Sequence, residues 1–226
     1  MQRSLVGSEM CIRDSIYTLL ILCFSSSAFI SCSSDGYDTG DGNLSYLCAE
    51  FVEAFTSSDT IVMKAVTDDG ASLTFTQRIK TSWTSVPDSS YRALLYYSKG
   101  DNPVRALSLR QVPVLTPKEH ADSIATDPLT VESVWTSKNE KYVNLSLLLK
   151  TGVSEGVDEK QWLSLVVDPE ASGTDNSLLL LHSQNGVPEY YTTRIYVSIP
   201  IAALPTDKAT VLRVNTYKGM KTYSLR

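Results

Sequence analysis

The stretch KYVNLSLLLK, residues 141–150, alternates apolar and other side chains with a period of two. Because successive side chains of an extended strand point to opposite faces, one face of this stretch collects Val143, Leu145, Leu147 and Leu149. Burial of each of these side chains would contribute roughly 1.5–3 kcal/mol. A slip of one residue would expose all four together, so we expect a strand whose register is firmly fixed.

Six further stretches in the second half of the chain alternate in the same way, giving predicted strands at 129–135, 161–167, 177–182, 194–200, 210–217 and 220–225. Turn residues separate them, including Asn185-Gly186 and Lys218-Gly219. In 194–200 the apolar side chains are expected to face the core, and Arg194, Tyr196 and Ser198 to face water. Seven strands over about 100 residues favour a two-sheet β-sandwich.

The first half contains five shorter alternating stretches, predicted as strands at 47–56, 60–67, 72–79, 91–98 and 104–112. Asp68-Asp69-Gly70 predicts a hairpin, since Asp and Gly tolerate a positive φ. Five short strands in about 65 residues suit a small Greek-key barrel, of which the OB-fold is the commonest type. No segment after Leu44 shows a helical period, so the prediction is an all-β chain.

Residues 113–128 contain three prolines and lack alternation, which is typical of a domain junction. We therefore predict an OB-like domain at 44–117 and a β-sandwich domain at 118–226. Within the junction, residues 118–125 could form one or two helical turns.

The first 31 residues are typical of an export signal. The apolar run 16–30 is shorter than the roughly 20 residues of a membrane-spanning helix. It ends at Phe29-Ile30-Ser31-Cys32, which resembles the lipobox of bacterial lipoproteins. We expect 1–31 to be a removed signal peptide and the sulfur of Cys32 to carry the lipid that anchors the protein to a membrane; a plain secreted protein is the alternative.

Two segments near the start need separate interpretation. Residues 4–15, SLVGSEMCIRDS, resemble a translated sequencing adapter, and our hypothesis is that residues 1–15 are not native. Residues 32–43 are rich in Gly and Asp and are expected to form a flexible, lipidated tether. Their acids are similar to the surface-export signals of Bacteroidetes lipoproteins. The expected location is the cell envelope, at the surface or the periplasmic face of the outer membrane.

The net charge and the number of cysteines argue against a nucleic-acid ligand and against a disulfide framework. A formal net charge of −5 argues against a nucleic-acid ligand, which requires a concentrated basic face. Cys11 and Cys23 lie in the predicted signal peptide, so Cys32 and Cys48 remain in the mature chain. With Cys32 lipidated, no disulfide framework is left. We expect Cys48 to be a small buried apolar residue; a reactive thiol is the alternative.

The sequence does not indicate a catalytic site. His120, His182 and Cys48 are too scattered for the close ligand spacing of a zinc site. An all-β chain also lacks the strand-to-helix setting of a nucleophile elbow. The acids around Asp168-Pro169-Glu170 are typical of a turn. We therefore predict that the protein is not an enzyme, and that it has no metal and no cofactor.

Trp83, Tyr190 and Tyr191 are the candidate surface-binding residues. Trp83 lies in the predicted loop before residue 91, and the two tyrosines follow the turn that contains Asn185-Gly186. Exposed aromatic side chains can stack on sugar rings or fill a partner's pocket. Trp135 and Trp162, which lie in predicted strands, are expected to belong to the core.

The closing stretch 214–223, VNTYKGMKTY, resembles the C-terminal signature of the NigD-like lipoproteins of Bacteroidetes. Residues 127–131 and the stretch 141–149 are similar to the start of the sandwich in that family. The resemblance implies an N-terminal OB domain, a C-terminal β-sandwich and an association with bacteriocin genes, and it implies no catalytic residues.

We therefore expect a non-enzymatic binding or interaction module of the cell envelope, whose ligand is an unknown protein or glycan. One alternative is a bacteriocin-associated immunity or interaction protein. A second is an envelope hydrolase, which would need a deep polar pocket holding His182 or paired acids.

Overall fold

The structure, a computed structural model, describes residues 46–121, 123–153, 159–171 and 175–225. The predicted signal peptide, Cys32 and the tether 32–43 therefore lie outside the described residues. Every regular element in the described part is a β-strand, apart from one 3-10 turn at Ile201–Ala203. The prediction of an all-β chain is confirmed.

The first five strands form one curved sheet. They are β1 Leu47–Thr56, β2 Val62–Thr67, β3 Ser72–Ile79, β4 Ser90–Ser98 and β5 Ala106–Gln111. Their order is β3-β2-β1-β4-β5. The two outer strands meet through a parallel bridge between Phe75 and Val104, where the Val104 N–H donates to Thr74 O over 2.9 Å. This closure produces the predicted OB-like Greek-key barrel.

The barrel interior is filled by small and medium-sized apolar side chains: Cys48, Val52, Ala54, Val62, Ala65, Leu73, Phe75, Ala93, Leu95, Tyr97, Val104 and Ala106. Cys48 is thus buried, as predicted. The turn Asp68-Asp69-Gly70 joins β2 to β3, and Gly70 adopts a φ of 84° that other residues disfavour. The predicted hairpin is confirmed.

Seven strands form the second half, as predicted. They are β6 Thr130–Thr136, β7 Tyr142–Thr151, β8 Trp162–Val167, β9 Asn176–Ser183, β10 Tyr191–Pro200, β11 Thr210–Thr216 and β12 Gly219–Ser224. One sheet has the order β10-β7-β6 and the other β12-β11-β9-β8. Neighbouring strands run antiparallel except β9 and β11, which pair in parallel.

The stretch 141–150 lies at the centre of the three-stranded sheet, as β7. Its four alternating apolar side chains are all buried against the second sheet, in a core that also contains Leu165, Leu180 and Leu212. β10 pairs with β7 along its whole length, from Tyr191 opposite Thr151 to Pro200 opposite Tyr142. The register is thus set by burial of one complete face.

The segment between the two halves is extended, so the prediction of helical turns at 118–125 is wrong for the described residues there. Its backbone groups bind sheet edges instead. Pro113 O accepts from the Ser198 N–H over 2.9 Å, and the Lys118 N–H donates to Leu165 O over 3.0 Å. The segment thus passes from β10 to β8, and hydrogen bonds to both strands replace the helical ones that Pro117 would disfavour.

The barrel packs on the outer face of the sheet β10-β7-β6. Ser198 and Asn144 are fully buried there, and Tyr196 packs against Phe51 of the barrel. The expectation that Tyr196 and Ser198 face water is therefore wrong, because the barrel covers this part of β10. Arg194, nearer the start of β10, is exposed as expected.

The two sandwich tryptophans lie outside the core between the sheets, contrary to the prediction. Trp135 is partly buried against the barrel, in edge contact with Phe51 at 5.8 Å between ring centroids. Trp162 is partly buried on the outer face of the four-stranded sheet, with Val166, Leu179 and Leu181. Each therefore helps to cover the second face of a sheet.

Candidate binding surface

Tyr190 and Tyr191 lie at one end of the sandwich, where the chain enters β10. They are 71% and 55% exposed. The preceding turn uses Asn185 and Gly186, which adopt φ angles of 47° and 74°. Gln184 holds this loop through its side-chain amide, which donates to Val187 O over 2.7 Å and to Lys150 O over 3.0 Å. The predicted surface position of both tyrosines is thus the position observed.

Gly152, just after β7, lies beneath Tyr190. A Cβ atom placed on Gly152 would lie 2.8 Å from Cδ2 of Tyr190 and 3.0 Å from Pro188 O. The first separation is too short for a real Cβ contact and the second is very tight, so the Tyr190 ring rests directly on the Gly152 backbone. The close approach explains why glycine occupies this position.

Tyr217, from the β11–β12 turn, reaches the same end and is 44% exposed. The Lys150 ammonium lies 4.7 Å from the centre of its ring and 3.0 Å from a Glu189 carboxylate oxygen. The hydrogen bond to Glu189 raises the pKa of Lys150. Burial, followed by the charge of Glu189, raises the pKa of Tyr217 despite the nearby lysine. We call this surface the loop-end patch: Lys150, Gly152, Glu189, Tyr190, Tyr191 and Tyr217.

In the loop-end patch, the loop that carries Tyr190 and Tyr191 is held in place by the Gln184 hydrogen bonds and by the close contact with Gly152. Tyrosine combines a large apolar ring with a hydrogen-bonding hydroxyl and is enriched in the residues that dominate binding energies. Sequence reasoning missed Tyr217 and Lys150, because the β11–β12 turn and β7 are far apart in the sequence. The β11–β12 turn at Lys218-Gly219 was the only signal that another aromatic residue occupies a loop tip.

Trp83 belongs to the barrel and not to the loop-end patch. It is partly buried against the barrel core and makes an edge contact with Tyr91, with ring centroids 5.8 Å apart. Only part of its ring is therefore open to a ligand.

A wide groove of about 710 Å³ lies beside the connecting segment. Its wall includes Trp162, His120, Lys118 and Asn185, and the last of these connects it to the loop that carries Tyr190. One partly buried indole surrounded by polar side chains is a suitable surface for a sugar ring.

His182 and Asp168, two of the residues considered for catalysis, make structural contacts. His182 is 1% exposed, and its two ring nitrogens contact Asp127 O at 3.0 Å and Gln161 Oε1 at 3.2 Å. Asp168 binds the Glu170 N–H, the Ser177 hydroxyl and the Arg213 guanidinium. Both side chains therefore hold neighbouring strands and turns together.

One sequence pattern of hydrolases does occur, GVSEG at residues 152–156. Ser154 lies outside the described residues. The stretch follows β7, in the middle of an antiparallel sheet, whereas the nucleophile elbow joins a strand to a helix over a parallel sheet. The pattern alone therefore does not support a catalytic serine.

Within the described ranges, no three His, Cys, Asp or Glu side chains lie close enough together to hold a metal ion. The same residues include no helix with the length and hydropathy of a membrane span.

A family model, the NigD-like C-terminal beta sandwich domain, matches residues 111–226. The match covers just over half of the chain. This protein belongs to the NigD-like family. The NigD-like match begins close to Pro113, where backbone pairing passes from the barrel to β10. No curated protein matches the chain.

Solved structures of proteins from Bacteroides and Parabacteroides have a similar fold. A NigD-like immunity protein from Bacteroides caccae is 22% identical, with a TM-score of 0.57 over 78% of this chain and 90% of that one. A protein named as toxin-related, from Parabacteroides distasonis, is 18% identical, with a TM-score of 0.59 over 79% and 92%. A protein of unknown function from Bacteroides vulgatus is 20% identical, with a TM-score of 0.54 over 79% and 90%. At these identities the likeness concerns the fold of NigD-like proteins.

Proposed function

We propose that this NigD-like protein is a non-enzymatic binding module of the cell envelope, and that the loop-end patch is its binding surface. The observation that carries the proposal is that three exposed tyrosines, Tyr190 and Tyr191 from one loop and Tyr217 from another, lie at the end of the sandwich that also holds the Lys150–Glu189 ion pair. A tyrosine-rich surface on rigid supports loses little conformational entropy on binding. The ligand is a protein or a glycan.

In this proposal, a lipid on Cys32 anchors the protein to the cell envelope. The motivation is the short apolar run that ends at Phe29-Ile30-Ser31-Cys32. Mass spectrometry of the protein from its native membrane should detect an amino-terminal, acylated Cys32. A mature amino terminus that retains residues before Cys32 would overturn this part of the proposal. Protease treatment of intact cells then separates surface display from the periplasmic face.

The binding role is tested by comparing a double variant with a matched control. Tyr190→Ser/Tyr191→Ser removes two rings of the loop-end patch, whereas Tyr46→Ser removes a ring that is 81% exposed on the barrel. Both proteins are screened against envelope glycans and against proteins cross-linked on cells. The proposal expects the double variant to lose tenfold or more in affinity for any ligand of the parent, because aromatic anchors dominate such surfaces. An equal loss in Tyr46→Ser, or no loss in the double variant, would contradict it.

The second candidate is a bacteriocin-associated immunity or interaction protein. It is favoured by two structural neighbours, one named as an immunity protein and the other as a toxin-related protein. Deletion of the gene should then sensitise the cell to a bacteriocin encoded nearby, and one tight protein partner should be recovered. Unchanged sensitivity, with a glycan as the ligand, would favour the general binding role instead.

A further inference from the structure

A pocket of about 300 Å³ lies at the junction of the barrel and the sandwich. The middle of β4 and the end of β5 supply one wall, and the first half of β10 supplies the other. We call it the junction pocket; its lining residues include Leu94, Tyr96, Arg110, Val112, Arg194 and Tyr196. Concave sites between two folded units are frequent positions for small ligands.

Positive charge is concentrated in the junction pocket, although the chain as a whole carries a net charge of −5. Two arginines line it, and none of its lining residues is acidic. Arg194 is held by a 2.5 Å hydrogen bond to Glu132, which also accepts from the Ser146 hydroxyl over 2.7 Å. The Arg194 hydrogen bond lowers the pKa of Glu132, so the pair is fully ionised near neutral pH.

Arg110 is the second arginine, and it provides the surplus charge. It is exposed and makes no ion pair with any described residue. Glu132 balances Arg194, so the guanidinium of Arg110 leaves the junction pocket with about one net positive charge. A guanidinium binds a carboxylate through two parallel hydrogen bonds.

Two tyrosine rings complete the walls. Tyr196 is fixed by edge contacts with Phe51 and Trp135, at 5.4 Å and 6.3 Å between ring centroids. Burial raises the pKa of Tyr196, so its hydroxyl remains protonated and can donate a hydrogen bond. Tyr96 lines the same pocket from β4 and is partly buried. Their rings offer an apolar surface beside the positive charge.

We propose that the junction pocket binds a small ring-bearing carboxylate, either a sugar acid or an aromatic acid. Arg110 binds the carboxylate, and Tyr96 and Tyr196 pack against the ring. A volume of about 300 Å³ matches a ligand of one or two rings. This site is separate from the loop-end patch, and the proposal does not depend on what that patch binds.

The test is calorimetric titration of the full chain with two acids and their neutral counterparts. The sugar pair is glucuronate and glucose, and the aromatic pair is benzoate and benzamide. The proposal expects at least one acid to bind with a dissociation constant below about 10 mM and its neutral counterpart to bind at least tenfold more weakly. Binding of glucuronate alone assigns a sugar acid, and binding of benzoate alone assigns an aromatic acid.

Variants then locate the site. Arg110→Gln should weaken binding about tenfold, because a hydrogen-bonded charge is lost. Arg110→Lys should recover part of the affinity. Arg105→Gln removes an exposed arginine of the barrel outside the junction pocket and should leave binding unchanged. The proposal is overturned if neither acid binds, if the neutral compounds bind equally well, or if Arg105→Gln and Arg110→Gln have the same effect.

Discussion

Arg92 of β4 and Asp68 of the β2–β3 turn form a bidentate ion pair, with Nη1–Oδ1 and Nη2–Oδ2 distances of 2.6 Å and 2.7 Å. The same guanidinium reaches Asn144 Oδ1 at 3.3 Å and Ser198 Oγ at 3.4 Å, across the junction. It also lies over the ring of Tyr142, 4.4 Å from the ring centre. A single barrel side chain therefore satisfies polar groups of two sandwich strands.

Removal of this arginine should be costly. Arg92→Met leaves Asp68 without its ion pair and removes the guanidinium hydrogen bonds to Asn144 of β7 and Ser198 of β10. We expect a loss of about 3–5 kcal/mol in the free energy of unfolding, measured by urea denaturation at pH 7. The control is Arg78→Met, which breaks an exposed ion pair with Asp59 and should cost less than about 1 kcal/mol. Equal losses in the two variants would show that burial of Arg92 contributes little.

The barrel and the sandwich should unfold in a single transition, since Arg92, Phe51 and Tyr196 join them. Trp83 reports on the barrel and Trp162 on the four-stranded sheet. One variant retains Trp83 and the other retains Trp162 as its single tryptophan. The two variants should show the same urea midpoint by fluorescence. In the Arg92→Met background the two midpoints are expected to separate. Separate midpoints in the parent chain would refute the coupling.

Gly152 should be sensitive to the addition of a single methyl group. Gly152→Ala places a Cβ atom against Tyr190 and the Pro188 carbonyl, so the Tyr190 ring must move. We expect a loss of about 1 kcal/mol in stability, together with weaker binding at the loop-end patch. Gly100→Ala is the matched control, since a Cβ atom there meets nothing within 4 Å. That variant should be neutral or slightly stabilising, because alanine restricts the unfolded chain.

Acid should weaken the turn between β8 and β9. Burial of the Asp168 carboxyl opposes its ionisation, but hydrogen bonds from Glu170 N–H, Arg213 and Ser177 outweigh this effect and lower its pKa. Because the folded pKa lies below the ordinary value of 3.8, the carboxylate stabilises the fold above that pH, and the stabilisation is lost as pH falls through the folded pKa.

The measurement is urea denaturation between pH 7 and pH 2.5. Asp168→Asn should be less stable than the parent at pH 7 and should lose less stability on acidification below about pH 4. Asp101→Asn, at an exposed loop position, should follow the parent. A parent-like acid profile in Asp168→Asn would show that this carboxylate does not control acid stability.

Most strand positions could be predicted because alternation is a local property. The stretch 141–150 and its four buried apolar residues are the clearest example. The predicted strand at 47–56 matches β1 Leu47–Thr56, and the predicted turn Asp68-Asp69-Gly70 is observed. The parallel pairing of β9 with β11 could not be predicted in this way, since it joins strands separated by β10.

The binding surfaces were harder to predict, since they combine distant segments. Tyr190 and Tyr191 follow a turn and were correctly expected at the surface. Tyr217 lies beside the Lys218-Gly219 turn, but its contact with Lys150 of β7 joins the two sheets and leaves no local pattern in the sequence. The two arginines of the junction pocket likewise belong to different halves of the chain.

The sequence by itself determined that the chain is β throughout, where its strands and turns lie, and which face of β7 enters the core. Only the tertiary structure decided which opposite faces are also buried, as at Asn144 and Ser198, and which loops meet at the end of the sandwich. The physical reason is the distance along the sequence between the residues that make contact. Alternation within a strand predicts that one of its faces is buried. Burial of the second face depends on a contact with the barrel, whose residues are far away in sequence.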